Sequence, residues 1–270
     1  MIQDDLYFFK KWFSDYCRSF YSSDIEDQKN ISLKEEHTFF VCKNIILISQ
    51  ELSLSKEQIM LAEVVALFHD IGRFPQYAQY KTFRDSISVN HGLLGAETLR
   101  KENILKALPD SEQELIIQSV KFHNAFSVPK KEEKNIVFFI QLIRDADKLD
   151  IWRVFLEFYE SPHESKASAV SLGLPDIPEY SEDVLSCIYR KEIVSLGRIK
   201  TLNDFKLLQL SWIFDLNFKP SFQLLVERDY IAKIISNLPK TDEIYNASVF
   251  LMEFVQRRVK GLYFKNPLLP

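Results

Sequence analysis

Residues 59–70, IMLAEVVALFHD, form an apolar run that ends in an adjacent histidine and aspartate, and residues 71–73 (IGR) follow at once. Apolar residues recur in this run at three- and four-residue intervals, which predicts a buried helix. His69 and Asp70 offer a neutral nitrogen and an anionic oxygen to one point, a combination that divalent metals bind. Because an isolated His-Asp pair is common, its meaning depends on the rest of the sequence.

Further potential ligands lie on both sides of this pair. Four of the five histidines fall in the first half of the chain, and another aspartate follows in the acidic stretch RDADKLD at residues 144–150. Imidazoles and carboxylates in this combination suit one or two divalent ions, with Mn, Fe, Zn, Co and Mg as candidates. Helix packing can bring such residues together inside a bundle. The predicted metal ligands are His37, His69, Asp70, His91, His123 and Asp147.

The composition limits the classes of function. With 270 residues, of which 46% are hydrophobic, the chain can bury a substantial core. The net charge of −4 argues against binding of a nucleic-acid polymer, so an anionic substrate would depend on local cations and metal. Three widely spaced cysteines do not suggest a disulfide framework, and the N-terminus lacks the pattern of a signal peptide. No apolar run is long enough to cross a membrane, and we expect a cytoplasmic protein.

Helical spacing dominates the longer apolar segments, and only six glycines are present, which predicts an all-α fold. We expect residues 1–160 to form a metal-binding helical core with an N-terminal helix. Residues 161–181 contain three prolines and are expected to be a connector. Residues 182–270 are expected to be C-terminal helices packed on the core, so that the chain is one structural unit.

Two serines mark expected helix starts. Ser55 with Gln58, and Ser111 with Glu114, have the spacing of capping boxes, in which each side chain bonds the other residue's backbone N–H. Glycine often ends a helix because it adopts left-handed backbone angles easily, and we expect Gly72 to end the helix that begins at Ser55.

A long helix is expected over residues 133–160. Asp150 lies on the same face as Asp147 and is expected to accept a hydrogen bond from a ligand histidine. Asp145 should turn to another face, toward solvent or a cation on the helix. Residues 71–90, which contain glycine, proline and several aromatic side chains, are expected to form a loop.

Taken together, these motifs resemble the HD-domain superfamily of metal-dependent phosphohydrolases, an all-helical family. The residues that match its pattern of a histidine, a His-Asp pair and a later aspartate are His37, His69, Asp70 and Asp147. The segments HGLLGAETL and VKFHNAF stand where two-metal members carry further ligands, at His91 and His123. The resemblance covers residues 30–160. The double histidine and GYP segment of the HD-GYP subfamily are missing, so activity on cyclic dinucleotides is not implied.

The resemblance implies metal-assisted hydrolysis of a phosphoester by a hydroxide that the metal generates. Asp70 would bridge two ions, with His91 and His123 completing a second, weaker site. Arg73 and Lys148 would neutralise charge on the phosphoryl oxygens. The expected substrate is a small phosphorylated molecule, with a nucleotide as one candidate. The predicted catalytic residues are Asp70, Arg73 and Lys148, and the predicted substrate-binding residues are Arg73, Lys148, Tyr77 and Tyr80.

Several alternatives remain open at this stage. The aromatic side chains of residues 71–90 either stack on a base or pack their segment onto the bundle. The same ligand set serves HD-type di-iron oxygenases, which resemble myo-inositol oxygenase and also carry a cation shortly after the His-Asp pair. A third reading is a non-catalytic module that binds a nucleotide. The metal distinguishes the first two, since an oxygenase needs iron and O₂. The sequence does not indicate an oligomeric state.

Overall fold

A computed structural model describes residues 3–129, 131–160 and 173–261. These residues form α-helices and three short 3₁₀ turns, without a β-strand among them, which confirms the predicted all-α fold. The helices are α1 (Gln3–Arg18), α2 (Ile25–Glu51), α3 (Lys56–Phe68), α4 (Arg73–Tyr80), α5 (His91–Glu102), α6 (Asp110–Phe122), α7 (Lys134–Glu160), α8 (Glu182–Arg190), α9 (Leu202–Ser211), α10 (Lys219–Glu227), α11 (Tyr230–Ser236) and α12 (Asp242–Val259). None of the described helices combines the length and apolar character that a membrane span requires.

The two predicted capping boxes have different outcomes. Ser55 and Gln58 form a complete capping box at the start of α3, as predicted. The second prediction is wrong, because α6 begins one residue before Ser111. There the carbonyl oxygen of Pro109 accepts hydrogen bonds from the backbone N–H groups of Glu112 and Gln113. The proline therefore precedes the first turn, and Ser111 already lies inside it.

The prediction of a loop over residues 71–90 is also wrong in part, because residues 73–80 form α4. Pro75 lies in the first turn of this helix, where its missing N–H has no helical acceptor in any case. Lys81 ends the helix in a left-handed conformation, and its N–H donates to the carbonyl oxygen of Tyr77. The remaining residues of the segment contain a 3₁₀ turn at Asp85–Ile87.

Gly72 does not end α3, which stops at Phe68, and its φ of −69° lies outside the left-handed region. Its function is steric. A Cβ atom at this position would lie 2.2 Å from the carbonyl oxygen of His91 and 2.6 Å from the backbone nitrogen of Gly95. Only glycine lets this segment approach the first turn of α5 so closely.

The chain divides into two compact units within α7. Among the described residues, the first unit comprises residues 3–150 and the second comprises residues 151–160 and 173–261. The predicted long helix is confirmed as Lys134–Glu160. Residues 161–172 of the predicted connector lie outside the described residues, and residues 173–181 contain no helix. That the C-terminal helices pack on the core as one structural unit stays a prediction.

In the first unit, α2 packs along α3 and α5 packs along α6. The inner faces are apolar, and α1 adds aromatic side chains to the core. The ring of Phe9 lies edge-on to Phe68 at a centroid distance of 5.7 Å, and that of Phe13 lies edge-on to Phe74 at 6.0 Å. In the second unit, the indole N–H of Trp152 donates to the carbonyl oxygen of Gln209. The first unit contains all of the predicted metal ligands.

Replacing Gly72 by alanine should lower the free energy of unfolding by about 2–4 kcal/mol, because the added methyl group meets backbone atoms that cannot rotate away. Urea denaturation of the metal-free protein measures the change. Gly197→Ala is the matched control, since its Cβ would have its nearest neighbour at 3.9 Å. Equal stability of the Gly72→Ala variant and the wild type would contradict the close approach.

Candidate metal centre

Two of the predicted ligands lie where helices end. His69 follows the last residue of α3, and His123 follows the last residue of α6. The Nδ1 atom of His69 is 2.7 Å from the carbonyl oxygen of Ala66, and that of His123 is 2.7 Å from the carbonyl oxygen of Val120. Each ring therefore donates from Nδ1 to its own helix, which leaves its Nε2 atom facing inward.

The other two histidines lie within helices and are held by carboxylates. The Nδ1 atom of His37, in α2, is 2.7 Å from Asp150, and that of His91, the first residue of α5, is 2.7 Å from Asp85. The hydrogen bond predicted for Asp150 is thus present. Acceptors at Nδ1 fix the tautomer with a free Nε2 lone pair, as is usual for metal-binding imidazoles. All four histidines have an acceptor at Nδ1 and direct Nε2 toward the cluster.

The first group of potential ligand atoms is compact. The Nε2 atoms of His37 and His69 are 3.3 Å apart. The distances from these two nitrogens to Asp70 Oδ2 are 3.6 and 3.7 Å, and those to Asp147 Oδ1 are 3.1 and 3.6 Å. Four ligands at about 2.1 Å from a central ion in tetrahedral geometry are about 3.4 Å from one another. The distances from the two carboxylate oxygens to the imidazole nitrogens are of this size, and His37, His69 and Asp70 lie close enough together to hold one ion, as do His69, His123 and Asp147.

A second group uses the other oxygen of the same carboxylate. Asp70 Oδ1 lies 3.3 Å from His91 Nε2 and 3.7 Å from His123 Nε2, and the two nitrogens are 3.0 Å apart. Asp70 thus directs one oxygen to each group, the arrangement of a bridging ligand. The structure brings all six residues predicted as metal ligands into one cluster.

Most of this cluster is inaccessible to solvent. His69 is fully buried, and His37, Asp70, His91 and His123 are each at most 4% exposed. The Asp147 side chain is 17% exposed and marks the point at which the first group meets solvent. A buried carboxylate stays ionised only with positive charge nearby. The cations around Asp70 therefore determine whether its carboxyl group is ionised.

Two cations flank Asp70. The ammonium group of Lys34 lies 2.8 Å from Oδ2, and Nε of Arg73 lies 3.4 Å from Oδ1. Burial opposes ionisation of Asp70, but Lys34, His69 and Arg73 outweigh it and hold the pKa of this carboxyl well below its usual range. Lys34 was missed at the sequence level. It lies three residues before His37 on α2, and the spacing of helical neighbours could have indicated it.

Asp85 is a second residue that the sequence did not indicate. Its carboxylate accepts from His91, from the Arg73 guanidinium at 2.9 Å and from the Asn124 amide at 3.0 Å. Burial opposes its ionisation, but the hydrogen bond from His91 and the charges around it lower the pKa of Asp85 below its usual range. Asp85 lies in a 3₁₀ turn, where no regular spacing relates it to the histidine that it orients.

The two histidines held by carboxylates differ in charge. Burial and Lys34 lower the pKa of His37, but hydrogen bonds to Asp147 and Asp150 outweigh them and raise it to about 9. For His91, burial and the charge of Arg73 outweigh the Asp85 hydrogen bond and lower the pKa to about 3. In the metal-free protein at neutral pH, His37 is therefore protonated and His91 is neutral.

The structure corrects two sequence-level expectations near the centre. Tyr77 is 3% exposed, and its hydroxyl donates to Asp27 and accepts from the Asn30 amide, so it packs α4 onto α2 and is not available to stack on a substrate. Asp145 is fully buried, so of the two expected environments, solvent or a cation on the helix, solvent is wrong.

The remaining predicted substrate contacts lie at the surface or close to it. Tyr80 is 39% exposed at the end of α4. Lys148 follows Asp147 on α7, is half-buried, and donates to the carbonyl oxygen of Arg144 at 3.4 Å. The guanidinium of Arg73 lies beside Asp70. Contact of these three residues with a substrate stays a prediction.

Fold and site together define a class: an all-helical domain with a buried cluster of histidines and aspartates suited to metal ions. The model of the HD domain family matches residues 35–152, a span that contains all six potential ligands. Residues 35–152 therefore form an HD domain. No curated protein and no solved structure matches the chain. The family assignment therefore depends on the domain itself, and it does not extend to a particular activity or substrate.

Removing one histidine of the second group should change metal content and leave the first group intact. We expect His91→Ala to lose about one equivalent of metal while retaining the other, with the wild-type protein as reference. The measurement is metal stoichiometry by elemental analysis, beside the melting temperature of the metal-free variant. Unchanged stoichiometry with a lowered melting temperature would mean that His91 only packs in the core.

Metal loading of the first group should release a proton at pH 7.5, because the imidazolium of His37 must lose its Nε2 proton to become a ligand. Calorimetric titration with Mn²⁺ in two buffers of different ionisation enthalpy measures the release, which we expect to be about one proton. Asp150→Asn should reduce it by lowering the pKa of His37. Binding enthalpies that do not depend on the buffer would contradict this assignment.

The same raised pKa gives a stability that depends on pH. A histidine whose folded-state pKa exceeds its unfolded value stabilises the metal-free protein fully below about pH 6.5, and this contribution is lost as the pH rises through about 9. Urea denaturation of the metal-free protein at pH 6 and pH 9.5 follows the loss. Asp150→Asn should reduce the difference between the two pH values.

Proposed function

We propose that the protein is a metal-dependent phosphohydrolase that cleaves a phosphoester. The observation that carries the proposal is the position of Asp70, whose two oxygens face two adjacent pairs of buried histidine nitrogens. A carboxylate in this position can hold two ions side by side. Members of the HD-domain superfamily are generally metal-dependent hydrolases, which supports the same reaction class for this chain.

The donor set fits one or two divalent ions, with Mn, Fe, Zn, Co and Mg as the candidates. The first ion would be held by His37, His69, Asp70 and Asp147, and the second by Asp70, His91 and His123. Bound ions of this kind lower the pKa of a coordinated water and offset negative charge on a phosphoryl group. Asp150 and Asp85 would keep two of the imidazoles oriented for this role.

Arg73 would stabilise charge on a phosphoryl group. Its Nε atom lies beside Asp70, while its terminal nitrogen donates to Asp85 and to the side-chain oxygen of Gln76, so the group is held rigidly. A pre-oriented cation favours the transition state, because no reorganisation is needed as charge develops. Lys148, next to Asp147 on α7, would be a second cation of this kind.

The proposed substrate is a small phosphorylated molecule. The partly exposed side chains around the cluster include two acids, Asp147 and Asp85, and two cations, Lys34 and Arg73. A phosphoryl group would therefore enter between acids and cations. Tyr80 remains a candidate for contact with a base, which would favour a nucleotide. Tyr77 is excluded from that role by its burial. No nucleic-acid polymer or membrane is part of this proposal.

An HD-type di-iron oxygenase is the alternative that the same ligands support. Four imidazoles and a bridging carboxylate suit iron as well as Mn or Mg. Elemental analysis of protein purified without added metal, combined with a panel of phosphomonoesters, phosphodiesters and nucleotides, separates the two. Hydrolysis of any panel member with Mn²⁺ or Mg²⁺, measured as formation of the cleaved product, supports the hydrolase. Iron content with O₂ consumption and no phosphoester cleavage would overturn it.

Asp70→Ala should lower phosphoester turnover by about a thousandfold or more, because it removes a ligand from both ions. Phosphate release at saturating Mn²⁺ is the measurement, together with metal content. Asp110→Ala is the control, since Asp110 is an exposed acid at the start of α6, and its turnover should remain near that of the wild type. Near-normal turnover of Asp70→Ala would rule out the proposed chemistry.

A further inference from the structure

Lys34 makes an ion pair in an unusual place. Its ammonium nitrogen lies 2.8 Å from Oδ2 of Asp70, and its side chain is only 16% exposed. The family match begins at residue 35, so Lys34 lies just outside the matched span. It reaches the centre from α2, one turn before His37.

The oxygen that Lys34 contacts is the one that faces the first ligand group. Oδ2 of Asp70 lies within 3.7 Å of both His37 Nε2 and His69 Nε2. An ammonium group and a dication at this oxygen would repel each other across a few ångströms, where the surrounding protein screens charge far less than water does. Lys34 at its present position and an ion in the first group therefore compete.

The two cations beside Asp70 differ in how firmly they are held. Arg73 also bonds Asp85, Gln76 and the carbonyl oxygen of Phe83. Among the described residues, Lys34 donates its side-chain hydrogen bond to Asp70, and its ammonium nitrogen lies 5.2 Å from the centroid of the Phe83 ring. A four-carbon stem is flexible, and the ammonium group is strongly hydrated once it reaches water. Lys34 is thus the cation that can leave.

We propose that Lys34 is a displaceable counter-ion for Asp70. It neutralises the buried carboxylate in the metal-free protein and moves away when a divalent ion binds in the first group. The proposal deepens the proposed function, because it rests on the metal centre, but it does not depend on hydrolysis. Lys34 is then a positioning residue that stabilises the metal-free protein and weakens the binding of metal.

Substitution of Lys34 tests its effect on metal affinity and its effect on the stability of the metal-free protein. Lys34→Met removes the competing charge, so Mn²⁺ should bind the first group at least about tenfold more tightly. The metal-free variant should melt several degrees below the wild type, since Asp70 loses its partner at Oδ2. Lys34→Arg keeps a cation and should stay close to the wild type in both measurements.

The measurements are calorimetric titration of Mn²⁺ into chelator-stripped protein and thermal melting of the same samples. Lys43→Met is the matched control, because Lys43 is an exposed lysine on α2 whose ammonium lies over the Phe40 ring. It should leave Mn²⁺ affinity unchanged. Unchanged or weaker Mn²⁺ binding by Lys34→Met would overturn the proposal, whatever the outcome of the phosphoester panel.

A measurement on the wild-type protein covers the case in which Lys34→Met does not fold. Acetylation of Lys34 by a small amine-reactive reagent, quantified by mass spectrometry, should increase several-fold when Mn²⁺ is added. Acetylation of Lys43 should not change. Equal labelling of Lys34 with and without Mn²⁺ would also overturn the proposal.

Discussion

The ionised carboxylate of Asp70 is the constraint on which the first unit depends. A buried anion is tolerated only with compensating charge and hydrogen-bond donors, and Lys34 and Arg73 supply part of both. Asp70 lies between the two histidine groups. It gives each group an anionic oxygen, which neutral imidazoles do not provide and which would offset the charge of a bound ion. The packing of Gly72 against α5 then brings the second group within reach of the same side chain.

The two halves of the centre are electrostatically unequal. Hydrogen bonds to two aspartates raise the pKa of His37, so its imidazole is positively charged at neutral pH. Burial and a neighbouring guanidinium lower the pKa of His91, so its imidazole is neutral. The first group therefore contains more negative charge, from Asp70 and Asp147. The second group consists of two largely neutral imidazoles, and its one anionic atom is Oδ1 of Asp70. This difference arises from surrounding residues, because the histidines themselves are oriented in the same way.

Much of this structure follows from local sequence signals. The capping box at Ser55 and the long helix that carries Asp147 are local features, and the sequence predicts both. The six potential metal ligands follow from the order of a known motif. The position of Asp85 depends on an irregular turn. The burial of Tyr77 depends on α4, a helix that was not predicted because Gly72 and Pro75 indicate a loop. Such features require the three-dimensional contacts that no local pattern encodes.

The location of His69 and His123 at helix ends has a consequence for which changes the domain can tolerate. Each ring is tied to its own helix three residues back, so its direction is set by the rotation of the helix at that point. One inserted or deleted residue within α3 or α6 would rotate the ring by about 100°. Side chains on the outer faces of these helices can vary freely, but the number of residues in each helix cannot. The metal centre therefore constrains the lengths of α3 and α6 more strongly than the identities of their outward-facing residues.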